Sequence, residues 1–409
     1  MRALLSITRC KRAAHIAGRR AHSVCLPAKE RAKVMETSRL ETHRFWGKPR
    51  DRGRAHGESL RPAISPLLEL WGDNLEQNHG VDRRRYVDLL FARSGYIAAL
   101  ERFAPRVLEE VGGIAEGASV DYRTLLAFQH VNEEFEAAPA FAKEAGLGEA
   151  CTTIVLDPSE ARPTLIAQNL DLAQFLDGFQ VLLRTPCDTS EGEIMTLSVP
   201  GMISLNGMNS FGFAVCDNTL GQLRTNLDGV PIFAIYRLLL ESRTLAEAQS
   251  TVQRIPHAVG LNWVMGDGGG ACMIERSAYE AALHAPAAPM PAFHTNHPLT
   301  CTDWRDEFRP DAPDRPRPAR STYLRLAAVH QRLQGRPANE LGIAEMKEIL
   351  SSRDDVDYPV SRGGGANQED QQIGFTLACN IFELTPQAPR WHIASGPPHC
   401  TQFRTFAFD

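Results

Sequence analysis

The chain has 409 residues, of which 43% are hydrophobic and 23% charged, enough apolar material for one large domain or two of ordinary size and too balanced for a collagen-like or wholly disordered chain. No run approaches ~18 consecutive apolar residues, which excludes a membrane-spanning helix. The net charge of −5 is lopsided, with seven basic residues and no acid in residues 1–29; the acidic remainder excludes a broad nucleic-acid surface, which needs concentrated Lys and Arg.

Residues 1–55 read as a basic, disordered leader: they lack apolar periodicity and carry the charged, turn-rich run Gly47-Lys48-Pro49-Arg50-Asp51-Arg52-Gly53-Arg54. The leader is similar in composition to an organellar transit peptide and has no secretory apolar core; an equal alternative is that Met35 is the initiator. Residues 56–150 read as an α-helical pro-segment, with folding beginning near Pro66 and helices over about Asp82–Arg102, Val107–Ala118 and Tyr122–Phe135. After Glu149 the texture changes to β-branched, alternating runs: Thr152–Leu156, Thr164–Ala167, Phe179–Arg184, Ile194–Val199, Ile203–Leu205 and Phe211–Cys216. Pro231 and Thr244 open two helices. Gly266–Gly270 reads as a hairpin turn between strands 261–266 and 271–276. A proline-rich connector then leads to a helix over Thr322–Leu333, read as a surface excursion, and the last strands are Gly374–Phe382 and Arg390–Ala394. Strands, then paired helices, then strands predict layered sheets with helices outside: an α+β domain over 151–409.

Nine cysteines without a C-x-x-C pair suit free thiols in a reducing compartment, taken as the cytoplasm. Cys151 stands apart because it opens the first strand, where a chain broken just before it would begin with a nucleophile. The turn at Asp157–Pro163 predicts an antiparallel hairpin that sets Cys151 across from Asn169 or Asp171, so that thiol and carboxylate meet.

These residues carry a family resemblance. Ala150-Cys151-Thr152-Thr153 followed by Gln168-Asn169-Leu170-Asp171 resembles the acyl-coenzyme A:6-aminopenicillanic-acid acyltransferase (isopenicillin N acyltransferase) peptidases, which are N-terminal nucleophile hydrolases. The likeness extends over Gly113–Ala118, Gly207–Phe213, Asn262–Asp267, His294-Thr295-Asn296-His297, Tyr358–Arg362 and Ala394–Cys400. It implies a four-layer αββα sandwich behind the helical leader and a precursor that cuts its own Ala150–Cys151 bond, its small and large fragments staying associated. It also implies a linear, non-peptide amide or an acyl-coenzyme A as substrate, with no cofactor and no metal. Two departures stand out. Ala150 replaces the usual Gly before the nucleophile, and Gln168 replaces the Arg of the related bile-salt and ceramide hydrolases.

In the roles that the resemblance implies, Cys151 is nucleophile and its freed amine the base, since an α-amine of pKa about 7.7–8.0 can take the proton of a thiol near 8.5. Asp171 holds that amine, Asn296 donates to the oxyanion, and Arg362 braces Asp171 or binds a substrate carboxylate. Thr153 assists activation of the scissile bond, and Gln168, Asn169, His294 and Ser361 line the substrate pocket. Two other readings compete. His294, His297 and Cys301 have the spacing of three zinc ligands but lack a fourth, and an uncut, non-catalytic binding protein of the same fold is the rival favoured by Ala150.

Overall fold

The computed structural model describes residues 40–133, 151–285, 290–312, 320–363 and 375–409. A short strand β1 (Glu41–Arg44) precedes five helices: α1 (Pro49–His79), α2 (Arg83–Arg93), α3 (Tyr96–Phe103), α4 (Pro105–Ala118) and α5 (Tyr122–Phe128). Residues 40–55 are therefore structured, against the reading of a leader disordered to residue 55. The reason lies in tertiary packing. Pro49 occupies the first turn of α1, where a missing N–H costs nothing, and the glycines behind it are contact points with α4. A Cβ on Gly53 would lie 2.1 Å from the Glu110 carbonyl oxygen, and one on Gly113 would lie 2.1 Å from that of Arg50. Four glycines spaced by four (53, 57, 113, 117) thus let two helix backbones touch, an approach no side chain permits.

The expected helix over Asp82–Arg102 is two helices, broken where Gly95 donates its N–H to Leu227 O and lies against Asp228 too closely for a Cβ. The helix expected to reach Phe135 ends at Phe128, followed by a 3-10 turn over Val131–Glu133.

The remaining strands are β2 (Thr152–Leu156), β3 (Thr164–Leu172), β4 (Val181–Pro186), β5 (Glu193–Ser198), β6 (Asn206–Asn209), β7 (Ala214–Thr219), β8 (Leu261–Asp267), β9 (Gly270–Arg276), β10 (Ala281–His284), β11 (Ala292–His294), β12 (Phe375–Leu384), β13 (Arg390–Ala394) and β14 (Arg404–Ala407). Helices α6 (Ile232–Leu239) and α7 (Leu245–Arg254) lie between β7 and β8 in the chain, and α8 (Arg320–Leu333) and α9 (Ile343–Leu350) between β11 and β12. The segment Ile203–Leu205, expected as a strand, leads into β6 instead. One sheet has the order β1-β4-β5-β6-β7-β8-β9-β10 and the other β11-β2-β3-β12-β13-β14.

The sheets face each other through β2 and β3 against β7, β8 and β9. On the six-stranded sheet Val155, Ile166 and Leu170 enter the core between the sheets, whereas the alternating residues Ile154, Leu156, Leu165 and Ala167 pack with α8 and α9 residues such as Val329 and Ile349. Helices α6 and α7 cover the outer face of the other sheet, with Tyr236 edge-on to Trp263. The order helix, sheet, sheet, helix is the four-layer αββα sandwich expected from the resemblance. Among the described residues no helix is long and apolar enough to cross a membrane.

Candidate active site

Cys151 stands at the mouth of β2, 3% exposed. The β2–β3 hairpin forms as expected, with one difference in register: Thr152 pairs with Asn169 and Thr153 with Gln168. The bridge Ser159↔Arg162 encloses a two-residue turn, Glu160-Ala161, so the centre falls between residues and not on one. Every pairing moves by one residue as a result. Asn169 and Asp171 share the face of Thr152, which looks toward α8 and α9, while Cys151 belongs with Thr153 and Gln168 on the face toward the other sheet. The hairpin does not set the Asp171 carboxylate across from Cys151.

Two arginines connect them instead. Arg325 on α8 is 1% exposed and donates to Cys151 O at 2.6 Å, Thr152 Oγ1 at 2.8 Å, Asn296 Oδ1 at 2.9 Å and Ser321 Oγ at 3.1 Å. Arg362 donates to the same Ser321 hydroxyl and sets its Nε 3.5 Å from Asp171 Oδ2, while Thr376 Oγ1 donates to Asp171 Oδ1 at 2.6 Å. Burial pushes Asp171 up to about 6 although Arg362 and Arg325 pull the other way. Burial, reinforced by Arg362, lowers Arg325 to about 9, which leaves it cationic at neutral pH.

Asn296 follows β11. Its Nδ2 donates to Thr219 O at 3.1 Å, and its backbone N–H to Thr322 Oγ1 at 2.8 Å. The loop beyond it is fixed by Glu275, whose carboxylate accepts from the backbone of Leu299, Thr300 and Cys301 and from His294 Nε2 at 2.8 Å.

Across the inter-sheet gap, the Thr153 hydroxyl donates to Asn218 Oδ1 at 2.8 Å. Asn262 Nδ2 donates to the same oxygen at 2.9 Å. In this arrangement Asn218 Nδ2 is buried and without a hydrogen-bond partner among the described residues. Its neighbour Asp217 accepts from the Tyr236 hydroxyl, and burial pushes Asp217 up to about 6 and Tyr236 well above the usual phenol range.

The four residues expected to line the substrate pocket are bonded to protein, and of their side-chain polar atoms only Asn169 Oδ1 is buried without a hydrogen-bond partner among the described residues. Gln168 staples the sheets, donating to Asp217 O at 2.7 Å and accepting from Asn206 Nδ2. Asn169 donates to Leu350 O and Val360 O, which ties the end of α9 to the Ser361-Arg362 loop. His294 has Thr295 O at one ring nitrogen and Glu275 at the other. Ser361 Oγ lies 2.7 Å from His399 Nδ1. Ala150 is outside the described residues.

At the zinc-like motif, His297 Nδ1 meets Thr322 Oγ1 at 2.9 Å and Cys301 packs with Leu220 and Leu223; among the described residues no group of three His, Cys, Asp or Glu is arranged for a metal. An open cleft of about 510 Å³, lined by Arg224, Trp304 and Arg309 among others, includes none of the residues around Cys151.

Sequence reasoning missed Arg325 and Asn218. The first left a signal, because the buried stripe of α8 runs Thr322, Arg325, Val329, Leu333, and an arginine on a core stripe asks for a buried partner. The second sits two residues beyond Cys216, where the strand expected over Phe211–Cys216 stops.

No curated protein matches the chain in sequence. Among solved structures it is similar to a Caenorhabditis elegans N-acylethanolamine-hydrolyzing acid amidase ortholog, 14% identical over 63% of this chain and 100% of the other, TM-score 0.40. It is also similar to a mutant of conjugated bile acid hydrolase from Clostridium perfringens, 12% identical over 63% and 97%, TM-score 0.37. A third is penicillin V acylase from Agrobacterium tumefaciens, 15% identical over 63% and 86%, TM-score 0.35. The family description "acyl-coenzyme A:6-aminopenicillanic acid acyl-transferase" matches residues 158–398, more than half of the chain. The chain belongs to that family, and so to the amidohydrolases and acyltransferases of N-terminal nucleophile type.

Proposed function

We propose that the chain is a self-processing cysteine amidohydrolase or acyltransferase that acts on linear, non-peptide amides through a thioester on Cys151. The observation that carries this reading is that buried Arg325 donates both to the carbonyl of Cys151, the one cysteine that opens a strand, and to Asn296 Oδ1, and so joins the two residues.

In the precursor, the Cys151 thiol attacks the Ala150 carbonyl; the C–N bond breaks and frees the Cys151 amine as the acyl group passes to sulfur, and water then hydrolyses the thioester, which releases the Ala150 carboxylate and frees the thiol. In turnover that amine takes the thiol proton and the thiolate adds to the substrate carbonyl. The oxyanion is met by Asn218 Nδ2 and by the Asn296 N–H not used by Thr219. Asp171, whose Oδ2 accepts no hydrogen bond among the described residues, is the charge partner of the resulting ammonium, with Arg362 bracing it. The ammonium proton leaves with the departing amine. Water then releases the acid, or an amine accepts the acyl group; an acyl-coenzyme A loads Cys151 by thioester exchange. No cofactor takes part.

The fragments stay together because Arg52 and Glu110, both ahead of the cleavage point, are bonded inside the molecule to Asp188 and Arg237 of the catalytic layers. A cytoplasmic location goes with the reading, since the thiol must remain reduced.

Intact-mass measurement tests it: fragments of 150 and 259 residues are expected, the larger beginning at Cys151. Cys151→Ala should give a folded, uncut and inactive chain. A wild-type protein that remains full-length and binds ligand without turnover would establish the rival, uncut reading, for which Ala150 speaks.

A further inference from the structure

A carboxamide has two ends of almost equal size, yet only one stabilises an oxyanion. If Asn296 were rotated by half a turn, its oxygen would face the developing negative charge and oppose the reaction. Two neighbours prevent this. Thr219 O can only accept, so it pairs with Nδ2 at 3.1 Å; the Arg325 guanidinium can only donate, so it pairs with Oδ1 at 2.9 Å. The same guanidinium grips the carbonyl of Cys151 and the hydroxyl of Thr152 with its other terminal nitrogen. Its planar fork therefore spans the nucleophile's backbone and the oxyanion donor in one rigid unit, a geometry that the single point charge of lysine does not reproduce. Ser321 holds the fork from behind through Nε at 3.1 Å.

We propose that Arg325 is a positioning residue of the reaction centre, which locks the Asn296 carboxamide with its N–H toward the oxyanion and holds that donor at a fixed place relative to Cys151. The proposal rests on Cys151 as nucleophile, and the test separates the two. Two reactions of the same thiol differ in their need for an oxyanion donor. Acylation by 4-nitrophenyl hexanoate passes through a tetrahedral oxyanion before 4-nitrophenolate leaves. Alkylation by iodoacetamide is a direct displacement of iodide by sulfur and forms no oxyanion.

In Arg325→Lys, which keeps the charge, the acylation burst should slow by roughly 10²-fold, the scale of a lost oxyanion donor, while iodoacetamide labelling of Cys151 stays within about threefold of wild type. Asn296→Ala should show the same split, and the double variant should be no slower than Asn296→Ala alone, because Arg325 acts through it. Equal losses in both reactions would mean that Arg325 serves only folding or the thiolate, and no loss in either would mean that the lock is unnecessary; both outcomes overturn the proposal. If the lysine variant does not fold, Thr152→Val removes one anchor of the fork isosterically, and the same split at a smaller scale is expected; its absence overturns the proposal as well. Failure of the underlying reading would look different: in wild type, the iodoacetamide mass would map to a residue other than Cys151.

Discussion

The hydroxyl of Thr153 donates to Asn218 Oδ1 at 2.8 Å across the gap between the two sheets, and the Asn218 N–H group at the other end of that carboxamide is buried without a partner among the described residues. A buried donor left open costs about 1–3 kcal/mol, a loss that is offset where the donor has work in another state of the protein.

If that state is the tetrahedral intermediate, Asn218→Asp, which preserves shape and both acceptor contacts but removes the N–H group, should reduce the acylation rate by roughly 10²–10³ with little change in substrate affinity. Single-turnover kinetics beside a thermal melt provide the check. A variant with normal rates would assign Asn218 to structure alone.

The chain ahead of Cys151, from residue 40 onward, is expected to be indispensable to the fold. Glu110 lies between Arg52, with contacts of 2.6 and 2.8 Å, and Arg237 at 3.0 Å, all buried; Glu110→Ala leaves two buried guanidinium groups without it and should destabilise the protein by about 3–5 kcal/mol. Removing residues 1–55 deletes Arg52 and Gly53 together and should give an insoluble or unprocessed product. Denaturant melts of the first, and solubility and intact mass of the second, decide the matter.

Asp171 and Asp217 should each take stability from the uncut precursor as pH rises from about 4 to 6, against the gain from His56, His130, His257 and His297, which burial holds neutral. Asp171 and Asp217 are both pushed up to about 6 by burial, so the folded state holds their protons more tightly than the unfolded chain; the stability they contribute is complete below the unfolded value near 4 and is lost as pH rises through 6. Each accounts for at most about 3 kcal/mol. In the Cys151→Ala precursor, Asp217→Asn should shift the dependence of the melting temperature on pH toward a steeper rise across this window, because one opposing group is gone. Cleavage should act in the same direction, because the new ammonium gives Asp171 a charge partner. An Asp217→Asn variant whose melting temperature follows pH as the parent's does would contradict the assignment.

What the sequence determined by itself was local. The Cys151 hairpin, the Thr244 cap that accepts from Glu247 N, and the tight turn closing Asp267 onto Gly270 all depend on residues a few positions apart, and so do the ordered motifs that singled out Cys151, Asp171, Asn296 and Arg362. The tertiary structure decided what depends on distance along the chain. Arg325 meets Cys151 across 174 positions and Arg362 meets Ser321 across 41, so nothing near either residue in the sequence announces the contact. Gly53 reads as part of a disordered turn because glycine carries the same local signal in a loop as in a helix whose backbone touches another; only α4 distinguishes the two. The face on which Asp171 lies hung on one residue of turn length, since strand side chains alternate with a period of two and a turn of Glu160-Ala161 reverses every pairing that a turn centred on a single residue would make.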